Sequence, residues 1–375
     1  MRTFAHRGIV EGFFGPPWSL RHREEIFRFG AARGMNTYLY APKDDPYHRA
    51  RWSLPYPASR WRELLHLIRA AQRFGIDFVY GFHPGQGLCF SDAAPVQKLI
   101  AKAERFYDAG VRIFAVLFDD IPSRLAHARD RTAFSGSLAR AEATWMQAVL
   151  ERQPASWRGV RWWLCPSYYT PDPILARTFG AFEPDFLPIL ADYLPPQVAC
   201  LWTGPRVVPR TITYAHARRV AQTIAHPLIL WDNYPVNDLS MSEELHLGPL
   251  RGRDPRLPRA ARGYLNNPLL QETLSFIPLA TCFDYARRPS AYEPESSWRR
   301  AVIEKFGEEA LPHWLAIRRF CDRSRAARER KQGFRPGPRE RARLRDALDY
   351  AARHRSEKWF RELRPWREAI SRALG

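Results

Sequence analysis

At 375 residues, with 45% hydrophobic residues, 13 Trp and 22 Phe, the chain has enough apolar material for a large core and is not a disordered polymer. Its formal net charge of +19 raises the question of nucleic acid, but residues 287–375 hold 24 Lys or Arg against 13 Asp or Glu, an arginine excess that reads as solvated helix faces and argues against such a partner. No run approaches the ~20 apolar residues of a membrane helix and MRTFAHRGIV has no signal-peptide core, so no membrane is expected and the cytoplasm is the expected compartment.

Gly8 to Gly15, GIVEGFFG, reads as a strand running into a glycine turn. A helix follows, capped by Ser19, with Ile26, Phe29 and Gly30 on one face and Gly34 as its stop. Thr37 to Pro42 is a second strand and Lys43-Asp44-Asp45-Pro46 a polar loop. Ser59 opens a helix whose stripe of Trp61, Leu64, Leu65, Ile68 and Ala71 ends at Gly75. Asp77 to His83 is strand three, Val96 to Ala109 a helix, Arg112 to Asp120 strand four and Ser135 to Arg152 a helix. Four more strands are expected at Arg161 to Ser167, Ala199 to Gly204, Leu228 to Asn233 and Gly263 to Asn267. Eight strands alternating with crossovers predict an α/β chain of the (β/α)8 TIM-barrel type over residues 1–286. An open doubly wound sheet fits less well, because no glycine-rich dinucleotide loop follows strand one and Gly85-Gln-Gly87 is isolated.

Strand signals stop near Ala291. Residues 287–375 are expected to form a small basic helical C-terminal domain: Ser297 to Cys321 helical, Asp322 to Pro338 an arginine-rich connector, then stripes at Leu344, Ala347, Leu348 and Ala351 and at Trp359, Phe360, Leu363, Trp366 and Ile370.

Strand four, RIFAVLFDDIP, is a continuous apolar run that ends in two adjacent carboxylates, Asp119 and Asp120. Successive strand residues point to opposite faces, so the pair can share a pocket only if the backbone leaves the extended conformation there. Neighbouring acids beside a core push each other's pKa values apart, which supplies one acid and one base. The residues alone also fit an acidic strand end that caps a helix or pairs with Arg124.

Side chains at barrel-strand C-termini line the active site. Here they are Glu11 and Gly12; Lys43, Asp44 and Asp45; His83; Asp119 and Asp120; Ser167, Tyr168 and Tyr169; Trp202; Trp231, Asp232, Asn233, Asn237 and Asp238; and Asn266 and Asn267. Directional hydrogen-bonding groups beside tryptophans make the lining of a sugar pocket. Asp44 and Asp45, next to Lys43 and Arg49, read more readily as loop braces; His83 reads as a hydrogen-bonded loop residue, and Trp202 as either core or platform. Metal is not expected: no H-E-x-x-H occurs, and the five cysteines are widely spaced without C-x-x-C, as reduced thiols near the core would be.

The segments GIVEGFFGPPW, NTYLYAPKDDPYHR, FAVLFDDIP, LWTGP, WDNYPVND and NNP, in this order over about residues 7–285, resemble the catalytic domain of glycoside hydrolase family 84, the β-N-acetylglucosaminidases that include O-GlcNAcases and hyaluronidase-like enzymes. That resemblance implies a (β/α)8 barrel and a retaining exo-β-N-acetylglucosaminidase in which the substrate's own 2-acetamido group attacks, forming an oxazoline. Carried onto this sequence, it implies that Asp119 orients the acetamido nitrogen and that Asp120 is the general acid and then the base. Gly12, Lys43, Tyr169, Trp231, Asp232, Asn233, Asp238 and Asn267 would bind the sugar, with Cys165 lining the pocket beside the acetamido group. The sequence departs from the family at Phe14 and at His83, where a small residue is usual. The implied partner is an N-acetylglucosamine-bearing glycan or glycoprotein, no cofactor is implied, and a homodimer is left open. The contrasting reading is a barrel that binds glycan or nucleic acid through its basic tail without turnover. All candidate site residues precede Ala286, so the chemistry is expected not to need the tail.

Overall fold

In the computed structural model, which describes residues 2–85 and 87–375, eight parallel strands pair in sequence order and β1 closes onto β8. Gln86, within the Gly85-Gln-Gly87 segment, lies outside the described residues. The first half of the chain runs β1 (His6–Glu11), α1 (Leu20–Ala32), β2 (Thr37–Tyr40), α2 (Ala58–Arg73), β3 (Asp77–Phe82), α3 (Ala94–Asp108), β4 (Ile113–Leu117), α4 (Ala128–Ala133) and α5 (Leu138–Arg152). It continues with β5 (Arg161–Cys165), α6 (Pro173–Phe179), α7 (Phe186–Tyr193), β6 (Ala199–Trp202), α8 (Tyr214–Ile224), β7 (Leu228–Asp232), β8 (Gly263–Asn266) and α9 (Phe276–Arg287). Beyond these lie α10 (Pro294–Phe306), α11 (Leu311–Glu329), α12 (Pro338–Arg353), α13 (Lys358–Glu362) and α14 (Arg364–Leu374). The closed eight-stranded barrel is the architecture expected from the strand count.

Alternation along each strand divides the core in two. Val10, Leu39, Val79, Ile113, Ala115, Leu117, Trp163, Leu201, Ile229, Trp231 and Leu265 fill the barrel interior. Their neighbours Ile9, Tyr38, Tyr80, Phe114, Val116, Phe118, Trp162, Cys200, Leu230 and Tyr264 pack outward against the helices. Both faces are therefore apolar, which is why β4 reads as an unbroken hydrophobic run.

Several helix boundaries differ from the sequence reading; the helix expected from Ser297 to Cys321, for one, is divided at Gly307, whose φ is 90°, into α10 and α11. The helix expected from Ser135 to Arg152 starts instead at Leu138, because Ser135 and Gly136 take positive φ values of 52° and 77°; Ser137 then caps α5 by accepting from the Arg140 N–H. The arginine-rich segment after Cys321 is not all connector either. Helix α11 continues to Glu329 with no proline or glycine to stop it, and Ala327 is buried on its face.

The tail does not sit apart from the barrel. Trp298, Trp314, Leu344, Trp359, Leu363, Trp366 and Ile370 form one apolar cluster with Leu245 and Leu247 from the connection after β7, Leu269 and Leu274 from the connection after β8, and Ile277 of α9. Its polar contacts reach the same connections: the Trp366 indole N–H donates to the Glu243 carbonyl at 3.0 Å, and the Glu362 carboxylate accepts from the Thr273 and Leu274 amides at 2.9 and 3.1 Å. No helix among the described residues is long and apolar enough to cross a membrane. Four cysteines are buried thiols and Cys89 is half-buried.

Candidate active site

Inward parity carries a set of side chains past the strand ends into one cavity. Continuing the interior positions of β1, β2, β3, β4, β7 and β8 leads to Gly12, Lys43, His83, Asp119, Asn233 and Asn267, and all of these except His83 line a cavity of about 440 Å³ together with Cys165, Tyr169, Trp231 and Asp238. That volume suits a single sugar ring and the start of whatever it is attached to.

Asp120 is the exception to parity. By alternation it should follow Phe114, Val116 and Phe118 into the helix layer, yet it lines the cavity because its φ is +60°. A left-handed conformation at a residue other than glycine costs roughly 1–3 kcal/mol and persists only where surrounding contacts enforce it. Those contacts are visible. The Tyr169 hydroxyl donates to Asp120 Oδ1 at 2.9 Å, and His83 Nε2 lies 2.8 Å from the Asp119 carbonyl oxygen.

The two carboxylates are made unequal by their surroundings. Lys43 Nζ is hydrogen-bonded to Asp119 Oδ2 and stands 3.9 Å from Asp120 Oδ2. Burial pushes both acids up, but for Asp119 the charge and hydrogen bond of Lys43, together with the neighbouring His83 and His48, outweigh it and hold the carboxyl at about 2. For Asp120 burial prevails, helped by the charge on Asp119 and opposed by Lys43 and the Tyr169 hydrogen bond, so its pKa is raised. One acid is thus held ionised and the other is biased toward carrying a proton. Asp119 Oδ1 is fully buried and has no hydrogen-bond partner among the described residues.

The rest of the cavity wall is a linked amide set. The Trp231 indole N–H donates to Asn233 Oδ1 at 3.0 Å, Asn267 Nδ2 donates to the same oxygen at 3.0 Å, and the Gly12 amide donates to Asn267 Oδ1 at 3.3 Å. Position 12 must be glycine, because a Cβ there would overlap the Trp231 indole. Asp238 accepts from the Phe14 amide at 2.8 Å, and burial raises its carboxyl. Cys165 contributes a buried thiol, pushed up by burial and by the neighbouring Asp119.

Asp232 does not belong to this wall, contrary to the expectation from sequence. It lies on the outward parity of β7, fully buried, where Arg253 grips both its oxygens at 2.6 and 2.7 Å and Tyr264 donates a further hydrogen bond. Glu11 likewise faces outward and is held by Arg23 at 2.6 and 2.9 Å and by Tyr38. Asp45 braces its loop by accepting from Tyr40 and Tyr56 at 2.7 Å, two residues from Lys43, while Asp44 is exposed. Trp202 is core, with its indole N–H on His216 at 3.1 Å, and Tyr168 packs on Phe182. Asn266 donates to the Tyr234 carbonyl, Asn237 to the Glu244 carbonyl, and the Ser167 amide to the buried Glu142 carboxylate. Among the described residues no group of three or more His, Cys, Asp or Glu is disposed to hold a metal ion.

Several lining residues escaped the sequence reading because they sit on the connections between strands rather than at strand ends. Asp172 ties two loops together, accepting from the Ile174 and Val207 amides at 3.1 Å and from Arg206 at 3.2 Å. Ile174, Val208 and Leu239, which are 44%, 39% and 64% exposed, rim the cavity; they are half of the six large exposed hydrophobic residues on the described chain. The only sequence signal for this rim was Asp172 placed as a helix cap before Pro173.

The chain is similar to known proteins throughout this barrel. A family model described as beta-N-acetylglucosaminidase matches residues 7–320. The Protein O-GlcNAcase of Rattus norvegicus is 33% identical over 279 residues, covering 73% of this chain and 29% of the rat protein, and that of Mus musculus matches to the same extent. The chain therefore spans less than a third of the length of these relatives. Among solved structures, a variant of the Thermobaculum terrenum O-GlcNAc hydrolase superposes with a TM-score of 0.85 at 32% identity, covering 98% of this chain and 82% of that one. CpGH84B superposes with a TM-score of 0.78 at 27% identity, covering 100% and 67%. With the family match spanning the whole barrel, this chain belongs to the beta-N-acetylglucosaminidases of glycoside hydrolase family 84.

Proposed function

We propose that the protein is a retaining exo-β-N-acetylglucosaminidase that removes terminal β-linked N-acetylglucosamine by substrate-assisted hydrolysis. The observation that carries this reading is the pairing, on one cavity wall, of an ionised Asp119 with a neighbouring Asp120 biased toward the protonated state. An ionised carboxylate on the wall of a cavity is an acceptor for an N–H, and the acetamido group of the sugar brings one. As the acetamido oxygen attacks C1, positive character grows on that nitrogen and Asp119 stabilises it. Asp120 gives its proton to the departing oxygen, then takes one from the water that reopens the oxazoline from the same face, so configuration is retained. No enzyme carboxylate bonds to C1, which is why two adjacent acids serve where covalent retaining enzymes hold theirs about 5 Å apart across the sugar. Gly12, Lys43, Trp231, Asn233, Asp238 and Asn267 bind and orient the ring, Tyr169 positions Asp120, and Cys165 walls the acetamido pocket.

The rim supports a glycoprotein as the substrate class. A second sugar calls for polar partners and aromatic platforms, whereas Ile174, Val208 and Leu239 offer aliphatic contact of the kind a peptide chain makes. The curated relatives are named for protein O-GlcNAc removal. We read residues 1–286 as the catalytic barrel and 287–375 as a helical domain that buttresses its loops.

Substrates whose N-acetyl group carries one, two or three fluorines test the mechanism. Each fluorine weakens the carbonyl nucleophile, so kcat/KM on an aryl glycoside should fall stepwise. A flat series would refute acetamido participation, and absence of turnover across a wide pH range would refute the enzyme reading itself.

A further inference from the structure

The strained turn at Asp120 needs an anchor, and a buried residue that meets its backbone from another strand is His83. It follows β3 directly and is 1% exposed. Nε2 lies 2.8 Å from the Asp119 carbonyl oxygen, which can only accept, so Nε2 carries the hydrogen. Nδ1 then holds a lone pair and has no partner among the described residues. The ring is itself fixed. The His83 amide donates to the His48 carbonyl at 3.0 Å, and His48 Nδ1 returns to the Gly81 carbonyl at 2.8 Å, closing a small lock at the end of β3.

We propose that His83 is a positioning residue: its Nε2–H holds the Asp119 carbonyl and with it the left-handed turn that sends the Asp119 and Asp120 side chains into one cavity. The inference rests on the reading of those two carboxylates as the catalytic pair. The peptide between Asp119 and Asp120 is the pivot, because rotating it to release the carbonyl would let Asp120 return to an extended conformation and point among Phe114, Val116 and Phe118. A hydrogen bond from a neighbouring strand opposes that rotation. The charged and titratable groups around the imidazole are Lys43, Arg49, His48 and Asp119. Burial and the Lys43 ammonium lower its pKa to about 4, so at neutral pH the ring is uncharged and donates through one nitrogen.

The test compares His83→Gln, which keeps an N–H donor on an arm of similar reach, with His83→Leu, which fills the space without one. Two readouts are used: steady-state kinetics on an aryl N-acetyl-β-glucosaminide, and carboxyl-carbon NMR titration of Asp119 and Asp120. His83→Leu should lower kcat by about 10- to 100-fold with KM changed less than about threefold, while His83→Gln should stay within about fivefold of wild type. The titrations of the two aspartates should draw together in His83→Leu and remain apart in His83→Gln. If His83→Leu does not fold, His83→Asn, whose amide is too short to reach the carbonyl, takes its place with the same expectation. A donorless variant with wild-type kcat and separate titrations would overturn the proposal, as would a folded His83→Gln as impaired as His83→Leu. Titration does not need turnover, so an inactive wild type would count against the proposed function while the NMR arm still decides the role of His83.

Discussion

The Tyr169 hydroxyl donates to Asp120 across the gap between the ends of β5 and β4, at 2.9 Å. This hydrogen bond favours the ionised carboxylate and so works against the burial that raises the Asp120 pKa. Removing it in Tyr169→Phe should raise that pKa further. An acid that must be protonated to act then stays competent to higher pH, so the basic limb of the kcat/KM profile should move up by about half a pH unit to one pH unit. A limb that stays put or moves down would mean that Tyr169 does not bond to the titrating group.

Asp232 and Arg253 separate structural from catalytic carboxylates. Both side chains are almost completely shielded from water, so removing one partner strands the other's charge. Arg253→Met should therefore cost about 3–5 kcal/mol of stability. Asp232→Asn should also lower Tm, yet leave kcat of the folded fraction within about threefold, because its side chain faces the helix layer. A folded Asp232→Asn enzyme with kcat reduced a hundredfold would return Asp232 to the active site. Thermal denaturation paired with active-site titration makes the distinction.

Strand parity explains what the sequence could and could not reveal. Counting inward positions from the apolar alternation leads to Gly12, Lys43, Asp119, Asn233 and Asn267, and assigns Glu11, Asp232 and Asn266 to the outer layer. The sequence reading gathered all polar residues near each strand end and so took Asp232 along with Asn233. Asp120 could not be placed by parity at all, since its position depends on a positive φ that no local glycine announces; the adjacency of two acids was the only sign that the chain must turn there. The rim residues Val208 and Leu239 stand in connections without periodicity, and Ile174 in the first turn of the short helix α6. Their shared location depends on how three separate connections meet above the barrel.

The C-terminal helices give a prediction that departs from the reading of the tail as dispensable for chemistry. Glu362 satisfies two backbone amides after β8, and Trp366 satisfies the Glu243 carbonyl in the connection that carries Asp238 and Leu239. Truncation after residue 337 would expose Trp298, Trp314 and Leu247 and leave those groups without partners. The shortened chain should lose several kcal/mol of stability, and what remains folded should show a raised KM as Asp238 loosens. The milder Glu362→Gln should lower Tm by a few degrees and leave kcat near wild type. A truncated chain with unchanged Tm and KM would show that the tail is an independent attachment.

The central claim is that Asp120 moves the proton and Asp119 serves the acetamido nitrogen. Rate measurements on Asp119→Asn and Asp120→Asn, across aryl N-acetyl-β-glucosaminides of graded leaving-group pKa, test it most directly. Without its general acid, Asp120→Asn should be slowed about 10²- to 10⁴-fold on poor leaving groups and far less on good ones, giving a steep dependence. Asp119→Asn should be slowed on all of them alike, with a dependence near that of wild type, because the charge it stabilises develops whatever departs. Equal slopes in the two variants, or the steep slope appearing in Asp119→Asn, would contradict the assignment.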